Sequence, residues 1–353
     1  MESTTKKTAL ITGATSGIGR ELANLFAKDG YNLVLVGRQE DNLLDLVETY
    51  EQQFGITVTP IAKDLSDPNA PAEIYAETTR EGTTVNVLVN DAGFGEYGMF
   101  ATETDLKREM DMIQVNIGAL VQLTKLYAKE MVARNEGKIL MLGSIASVIP
   151  NPLMAVYGAT KSFIYSFSEA LRNELKDTNV TVTVLMPGAT NTNFFNTAGA
   201  AHVKGADPEK TANPADVAKD GYEALMAGKD KVVSGLKNKA TVASAYVLPD
   251  GVVAAQARSD MEPKDESQQQ QTALAIGIGV AALVVGGLLL AYRNTNALER
   301  AEYRYKAAKL GRKAKLKAMS VGDTIASVAD TSVGKTVKSV ARKAKAELED
   351  VLS

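Results

Sequence analysis

The chain has no cysteine and only one histidine, His202, in 353 residues. Without thiols there is no disulfide and no thiolate metal site, and a lone histidine excludes both a histidine triad and a multi-histidine metal centre, so no metal is expected. His202 falls in a loop-like stretch and is expected to face solvent. An export signal is lacking too: Met1 to Lys7 is polar and leads straight into an apolar run, which places the amino-terminal region in the cytosol as an expectation. What the chain does have is a length beyond one typical domain and an apolar content of 45%, ample for a core.

Thr8 to Ile11 reads as a short buried strand, T12-G-A-T-S-G-I-G19 follows at once, and Arg20 to Lys28 carries Leu22, Leu25 and Phe26 at helical spacing. Gly13, Gly17 and Gly19 let the backbone turn tightly and approach a pyrophosphate, which would rest on the free amides of the helix start. Thr15, Ser16 and Ile18 share that turn and are assigned to the same ligand. Three glycines alone would be an ordinary turn; strand before and helix after make this a nucleotide site. The second strand, Leu33 to Val36, ends in Gly37-Arg38 where an NAD-binding chain usually has Asp or Glu. A guanidinium fits the 2′-phosphate of NADP, so Arg38 favours NADP (NADPH) over NAD. The plainer alternative is a solvated strand-end arginine.

Ser144 precedes Tyr157 by thirteen residues, and Tyr157 precedes Lys161 by four. Tyrosine is a poor acid at neutral pH because its ordinary pKa is about 10, and a nearby cation would favour the phenolate. On one helix, residues four apart share a face, so Lys161 is placed to do this while Tyr157 gives or takes a proton. Ser144 ends a strand, Lys138 to Leu142, and projects at the carboxyl edge of the sheet.

These residues resemble the short-chain dehydrogenase/reductase family over about residues 5 to 258. Its TGxxxGxG motif is Thr12 to Gly19, its Asp-Leu pair near the adenine resembles Asp64-Leu65, and its NxAG strand end is Asn90-Asp91-Ala92-Gly93. Its active-site Asn, Ser, Tyr and Lys resemble Asn116, Ser144, Tyr157 and Lys161, and its Pro-Gly turn and following Thr resemble Pro187-Gly188 and Thr192, at the nicotinamide end. The resemblance implies that Ser144 holds the substrate oxygen and Tyr157 protonates it. Lys161 lowers the phenol pKa and binds the nicotinamide ribose, and Asn116 supports a water that relays protons to Lys161. Capping by Ser144 and backbone satisfaction by Asn116 are the plainer alternatives. Asp91, where many members carry Asn, is expected not to affect chemistry.

Val58 to Ala62, Val85 to Val89, Val180 to Leu185 and Lys231 to Ser234 are further strands alternating with helical stretches, the pattern of an α/β fold: a Rossmann-like doubly wound parallel sheet. Ala189 to Asn213 reads as a substrate lid whose Phe194 and Phe195 either line a pocket or anchor the loop, and Asn213-Pro214 starts the next helix.

Residues 259–271 read as a polar linker after a catalytic domain at 1–258. Thr272 to Tyr292 holds no charged residue; as a helix it would span about 31 Å, enough for a transmembrane helix. A buried helix is the alternative. Ala273, Gly277 and Ala281 offer a small-residue face for another helix, and homo-oligomerisation is left open. Residues 293–353 carry net charge +7 against −10 for residues 1–271. Arg300 to Lys317 suits an anionic membrane face, and Val321, Ile325, Val328, Val333, Val337, Val340, Ala344 and Leu348 suit an amphipathic surface helix. No nucleic-acid partner is expected, since aromatics there are confined to Tyr303 and Tyr305. The positive-inside tendency would export the amino-terminal domain, against the cytosolic expectation.

The sequence thus reads as a membrane-associated, NADPH-dependent reductase of a carbonyl, or dehydrogenase of the alcohol, with a lipophilic small-molecule substrate. The rivals are a nucleotide-binding sensor without turnover and a membrane organiser with a vestigial enzyme.

Overall fold

The computed structural model describes residues 6–263. Seven strands alternate with helices: β1 (Thr8–Thr12), α1 (Gly17–Lys28), β2 (Asn32–Gly37), α2 (Glu40–Phe54), β3 (Val58–Ala62), α3 (Ala70–Arg80) and β4 (Val85–Asn90) form the first half. Then come α4 (Leu106–Ile113), a π-helical stretch Gln114–Ala119, α5 (Leu120–Ala133), β5 (Gly137–Leu142), α6 (Ala155–Glu174) and β6 (Val180–Met186). The last elements are α7 (Phe194–Thr197), α8 (Pro214–Met226), β7 (Lys231–Val233), α9 (Leu236–Ala245) and α10 (Asp250–Asp260).

The strands lie in the order β3-β2-β1-β4-β5-β6-β7, and every pairing is parallel. This is the Rossmann-like arrangement expected from the alternation. All five residues of β1 are buried, as a strand covered on both faces by helices requires. One face packs against α1, α2 and α8 through Leu22, Phe26, Leu43 and Leu225. The other packs against α3, α5 and α6 through Ile74, Leu123, Tyr127, Met131 and Ile164. Strand order reverses between β1 and β4, so the loops leaving these two strands diverge and open a crevice at the carboxyl edge.

Two features depart from the composition. The lid expected as loop between 189 and 213 contains α7, and Asn213 caps α8 by accepting from the Ala215 amide at 2.9 Å. Ser259 to Pro263, polar enough to read as linker, instead finish the folded body. Tyr97 Oη donates to Met261 O at 2.9 Å, the Lys204 amide donates to Glu262 O at 3.0 Å, and Val203 pairs with Pro263. These bonds run through backbone groups, which composition does not register.

Among the described residues no helix is long and apolar enough to cross a membrane. The expected transmembrane helix at 272–292, the basic tail at 293–353 and linker residues 264–271 lie outside the described residues.

Candidate active site

The crevice begins at the β1–α1 turn. Gly13 and Gly17 hold φ of +71° and +57°, a region that side chains rarely adopt. A Cβ on Gly19 would lie 2.5 Å from both Asp91 Oδ2 and Gly13 O, so only glycine lets this turn close on the turn after β4. Thr12 locks the two turns together: its Oγ1 accepts from the Asp91 and Ala92 amides, both at 3.1 Å. Ser16, the residue before α1, makes no side-chain cap, which leaves the helix-start amides to an anion. A cradle without Cβ atoms at the start of a twelve-residue helix fits the diphosphate of a dinucleotide.

The other cofactor candidates surround this cradle. Glycine at position 37 leaves room for the Thr15 methyl, and Arg38 is exposed just beyond the end of β2. Asp64 is exposed after β3 and accepts from the Ser66 amide at 2.9 Å, whereas Leu65 turns into the core beside Val36 and Ile61. Asn90 is buried at the end of β4, donating to Thr124 Oγ1 at 3.0 Å. A Cβ on Gly93 would lie 3.1 Å from Asn116 Oδ1 and 3.6 Å from Lys161 Nζ, so Gly93 borders two of the catalytic candidates. Gly188 abuts Asn238 of α9, and Thr192 reaches back to within 3.0 Å of a Cβ built on Gly17.

The four catalytic candidates converge from three elements. Ser144 follows β5 and caps a short turn through a bond from the Ala146 amide at 3.1 Å, and its hydroxyl also lies against the Tyr157 phenol. Capping therefore does not take Ser144 away from the phenol. Asn116 sits in the π-helical stretch, a widened turn frequent at functional sites. Its Nδ2 donates to Phe94 O and Thr160 Oγ1, both at 3.0 Å, and its Oδ1 accepts from the Phe94 amide at 3.1 Å. Both amide protons are committed, so the side chain can accept from a water but not donate to one.

Tyr157 and Lys161 lie one turn apart on α6. Burial pushes the phenol up to about 12, and the group opposing that shift is the Ser144 hydroxyl. Burial likewise lowers the Lys161 ammonium to about 8, with the Asp91 carboxylate resisting. Desolvation alone disfavours whichever form is charged, which accounts for both directions. Lys161 Nζ donates to Leu142 O at 2.8 Å. The neighbour that sequence reasoning set aside is thus electrostatically engaged: Asp91 is buried, one of its oxygens lacks a partner, and its carboxyl is pushed up to about 7 by burial against the pull of Lys161 and the Gly19 amide.

The segment expected to be a lid packs beside Tyr157. Phe194 places its ring 5.0 Å from that of Tyr157, while Phe195 is buried, so the first lines the site and the second anchors the lid. Tyr97, Tyr157, Phe194 and Met261 all pack against one buried apolar cluster that includes Met154, Phe195 and Val203. A Cβ on Gly95 would meet Met154 Cε at 2.6 Å and Phe194 Cζ at 2.9 Å. Arg108 bonds Glu96 and the Thr197 carbonyl, tying α4 to the lid, and His202 packs edge-on against Tyr97. Sequence reasoning carried Thr12 and Asp91 only as motif positions, expecting Asp91 not to affect chemistry, and gave no role to Gly95, Met154, Tyr97 and Arg108. Of these last four only Gly95 carried a signal, as the second glycine of Gly93-Phe94-Gly95.

The family model for short chain dehydrogenases matches residues 7–202, more than half of the chain. The chain belongs to the short-chain dehydrogenase family. Membership fixes the class of chemistry, NAD(P)-dependent oxidoreduction between CH–OH and C=O. This dehydrogenase is 36% identical over 176 residues to a very-long-chain 3-oxoacyl-CoA reductase of Laccaria bicolor, covering 49% of this chain and 52% of that protein, so it spans about half of that relative's length. It is 32% identical over 235 residues to a 7beta-hydroxysteroid dehydrogenase of Mediterraneibacter gnavus, covering 66% of this chain and 88% of the relative. Sulfoacetaldehyde reductase 2 of Chromohalobacter salexigens is 38% identical over 186 residues, covering 52% of this chain and 73% of that protein. Among solved structures, a short-chain dehydrogenase from Sphingobium yanoikuyae in complex with NADPH superposes with TM-score 0.62 at 28% identity, covering 70% of this chain and 94% of the other.

Proposed function

We propose that this dehydrogenase works as an NADPH-dependent reductase of an apolar ketone, held at a membrane by residues 272–292. The observation that carries the reading is the buried apolar cluster of Met154, Phe195, Ala198, Ala200 and Val203, against which Tyr157, Phe194, Tyr97 and Met261 all pack. A small anionic substrate such as the one naming the sulfoacetaldehyde reductase needs a cation beside the carbonyl. Arg108, which reaches the lid, is already paired with Glu96 and the Thr197 carbonyl. The relatives named for a very-long-chain acyl group and for a steroid are better guides to this pocket.

Gly13, Thr15, Ser16, Gly17, Ile18 and Gly19 would hold the diphosphate of NADPH, Arg38 its 2′-phosphate, Asp64 the adenine side, and Pro187, Gly188 and Thr192 the nicotinamide end. The bound cofactor supplies the hydride. Ser144 would hold the ketone oxygen. Tyr157, its phenol pushed up to about 12, carries its proton at neutral pH and would give it to that oxygen as charge builds there on hydride arrival. Lys161 would bind the ribose and carry protons onward, and Asn116 fixes the turn after β4 against α6. Four catalytic groups brought together speak against a sensor without turnover.

The deciding experiment is NADPH oxidation by the purified protein across long-chain 3-oxoacyl thioesters, sphingoid ketones, steroid ketones and small anionic aldehydes. Turnover confined to the anionic aldehydes would remove the apolar-substrate reading, and no turnover on any carbonyl would remove the reductase.

A further inference from the structure

The chain leaves the folded body on top of the substrate lid. Met261 packs against the cluster of Met154, Phe195 and Val203, and its carbonyl accepts from Tyr97 Oη; two residues later Pro263 pairs with Val203 of the lid. Beside this exit stand Met99 and Phe100, 42% and 61% exposed, with Met99 Sδ 3.9 Å from Arg258 Nη2 on α10. Leu106 and Met110, four apart on the following helix, are also exposed. Large apolar side chains grouped on a surface mark a contact rather than ordinary solvent exposure.

Ion pairs frame the same exit. Lys204 pairs with Glu262 at 3.3 Å and Lys210 with Asp207 at 3.5 Å, beside the last turn of α10. Apolar side chains edged by ion pairs match the boundary between acyl chains and polar headgroups. The uncharged stretch begins at Thr272, nine positions past Pro263, a span of chain that reaches at most about 30 Å.

We propose that the lid face, with Met99 and Phe100 at its centre, lies on the surface of a lipid bilayer, so that a ketone dissolved in the bilayer enters beneath the lid without crossing water. This rests on the membrane reading of residues 272–292. Met99 and Phe100 supply the apolar contact, and the ion pairs beside α10 meet the polar headgroups.

The absence of cysteine gives a clean test. The full chain carrying Phe100→Cys, or Glu48→Cys on the exposed side of α2 as reference, is labelled with an environment-sensitive fluorophore and reconstituted in phosphatidylcholine–phosphatidylserine vesicles. The expected result is quenching at position 100 by nitroxide-bearing lipid and shielding there from iodide, with the reverse at position 48. Equal iodide quenching at both sites of vesicle-bound protein overturns the docking and leaves the anchor standing. Shielding of position 100 from both quenchers overturns it in favour of a protein contact. Protein that fails to bind vesicles removes the anchor, and the docking with it. As a second arm, Met99→Glu with Phe100→Glu should raise KM about tenfold for a bilayer-dissolved ketone and leave a water-soluble ketone unchanged. No change on either ketone, or equal loss on both, overturns entry from the bilayer.

Discussion

The Lys161 ammonium stands 5.7 Å from the centre of the Tyr157 ring and spends its bond on the Leu142 carbonyl, 2.8 Å away. The phenol is opposed in its upward shift by Ser144, not by Lys161. The helical spacing does put Tyr157 and Lys161 on one face, but burial of both groups sets their proton affinities, and the strand-end residue decides which neighbour the phenol meets.

Tyr157→Phe keeps the ring against Phe194 and removes the transferable proton. Turnover should vanish while NADPH binding, followed by fluorescence titration, stays within about twofold, a free-energy change below the scale of one hydrogen bond. Lys161→Ala should weaken both binding and rate. Substantial reductase activity in the phenylalanine variant would assign the proton to another group.

Arg38→Ala should separate the two nicotinamide cofactors. Loss of charged hydrogen bonds to the 2′-phosphate predicts a fall in NADPH affinity of roughly tenfold to a hundredfold, with NADH affinity unchanged. Equal losses for both would make Arg38 a structural residue.

Asp91 predicts a pH dependence of stability. Its folded value of about 7 lies above the ordinary carboxyl value, so between those two values the folded chain keeps a proton that the unfolded chain has lost. The stability this group contributes is full below the ordinary value and is lost as pH rises through the folded one. Asn resembles the protonated acid and does not titrate, so in cofactor-free protein Asp91→Asn should match the parent at about pH 4 and exceed it at about pH 8 by something on the order of 1–3 kcal/mol. Lys161, deprived of the carboxylate, should then deprotonate below about 8 and draw the alkaline limb of the activity profile downward. Melting curves that differ equally at both pH values would contradict the assignment.

The two lid phenylalanines should behave differently. Phe195→Ala empties a buried anchor and should destabilise by about 3 kcal/mol, read from denaturant unfolding. Phe194→Ala should leave the midpoint almost unchanged and shift preference toward bulkier ketones. Gly95→Ala, whose added methyl meets Phe194 and Met154, should move preference the opposite way. Identical stability losses for both phenylalanines would mean that neither lines the site.

Much of the fold was legible because a parallel sheet buried on both faces writes itself as short apolar runs. Val58–Ala62 was read to the residue, and the other six strands to within a residue or so at each end. The glycine turn was equally legible, since positive φ values admit few residue types, and the residues read as Asn116, Ser144, Tyr157 and Lys161 do lie near one another. Asp91 was misjudged, because its role depends on what is buried beside it: the Gly19 amide, Lys161 and a missing partner for one oxygen are facts of packing. The same holds for Phe194 and Phe195, adjacent and chemically identical in sequence and told apart only by which ring turns toward Tyr157. Ser259 to Pro263 read as linker because their hold on the lid runs through backbone groups that every residue carries. Sequence alone determined the strand alternation, the cofactor turn and the chemistry available, each set by local pattern or side-chain type. Tertiary structure decided the proton affinities, the lining of the pocket and the edge of the folded body, because desolvation and contact arise only when distant segments meet.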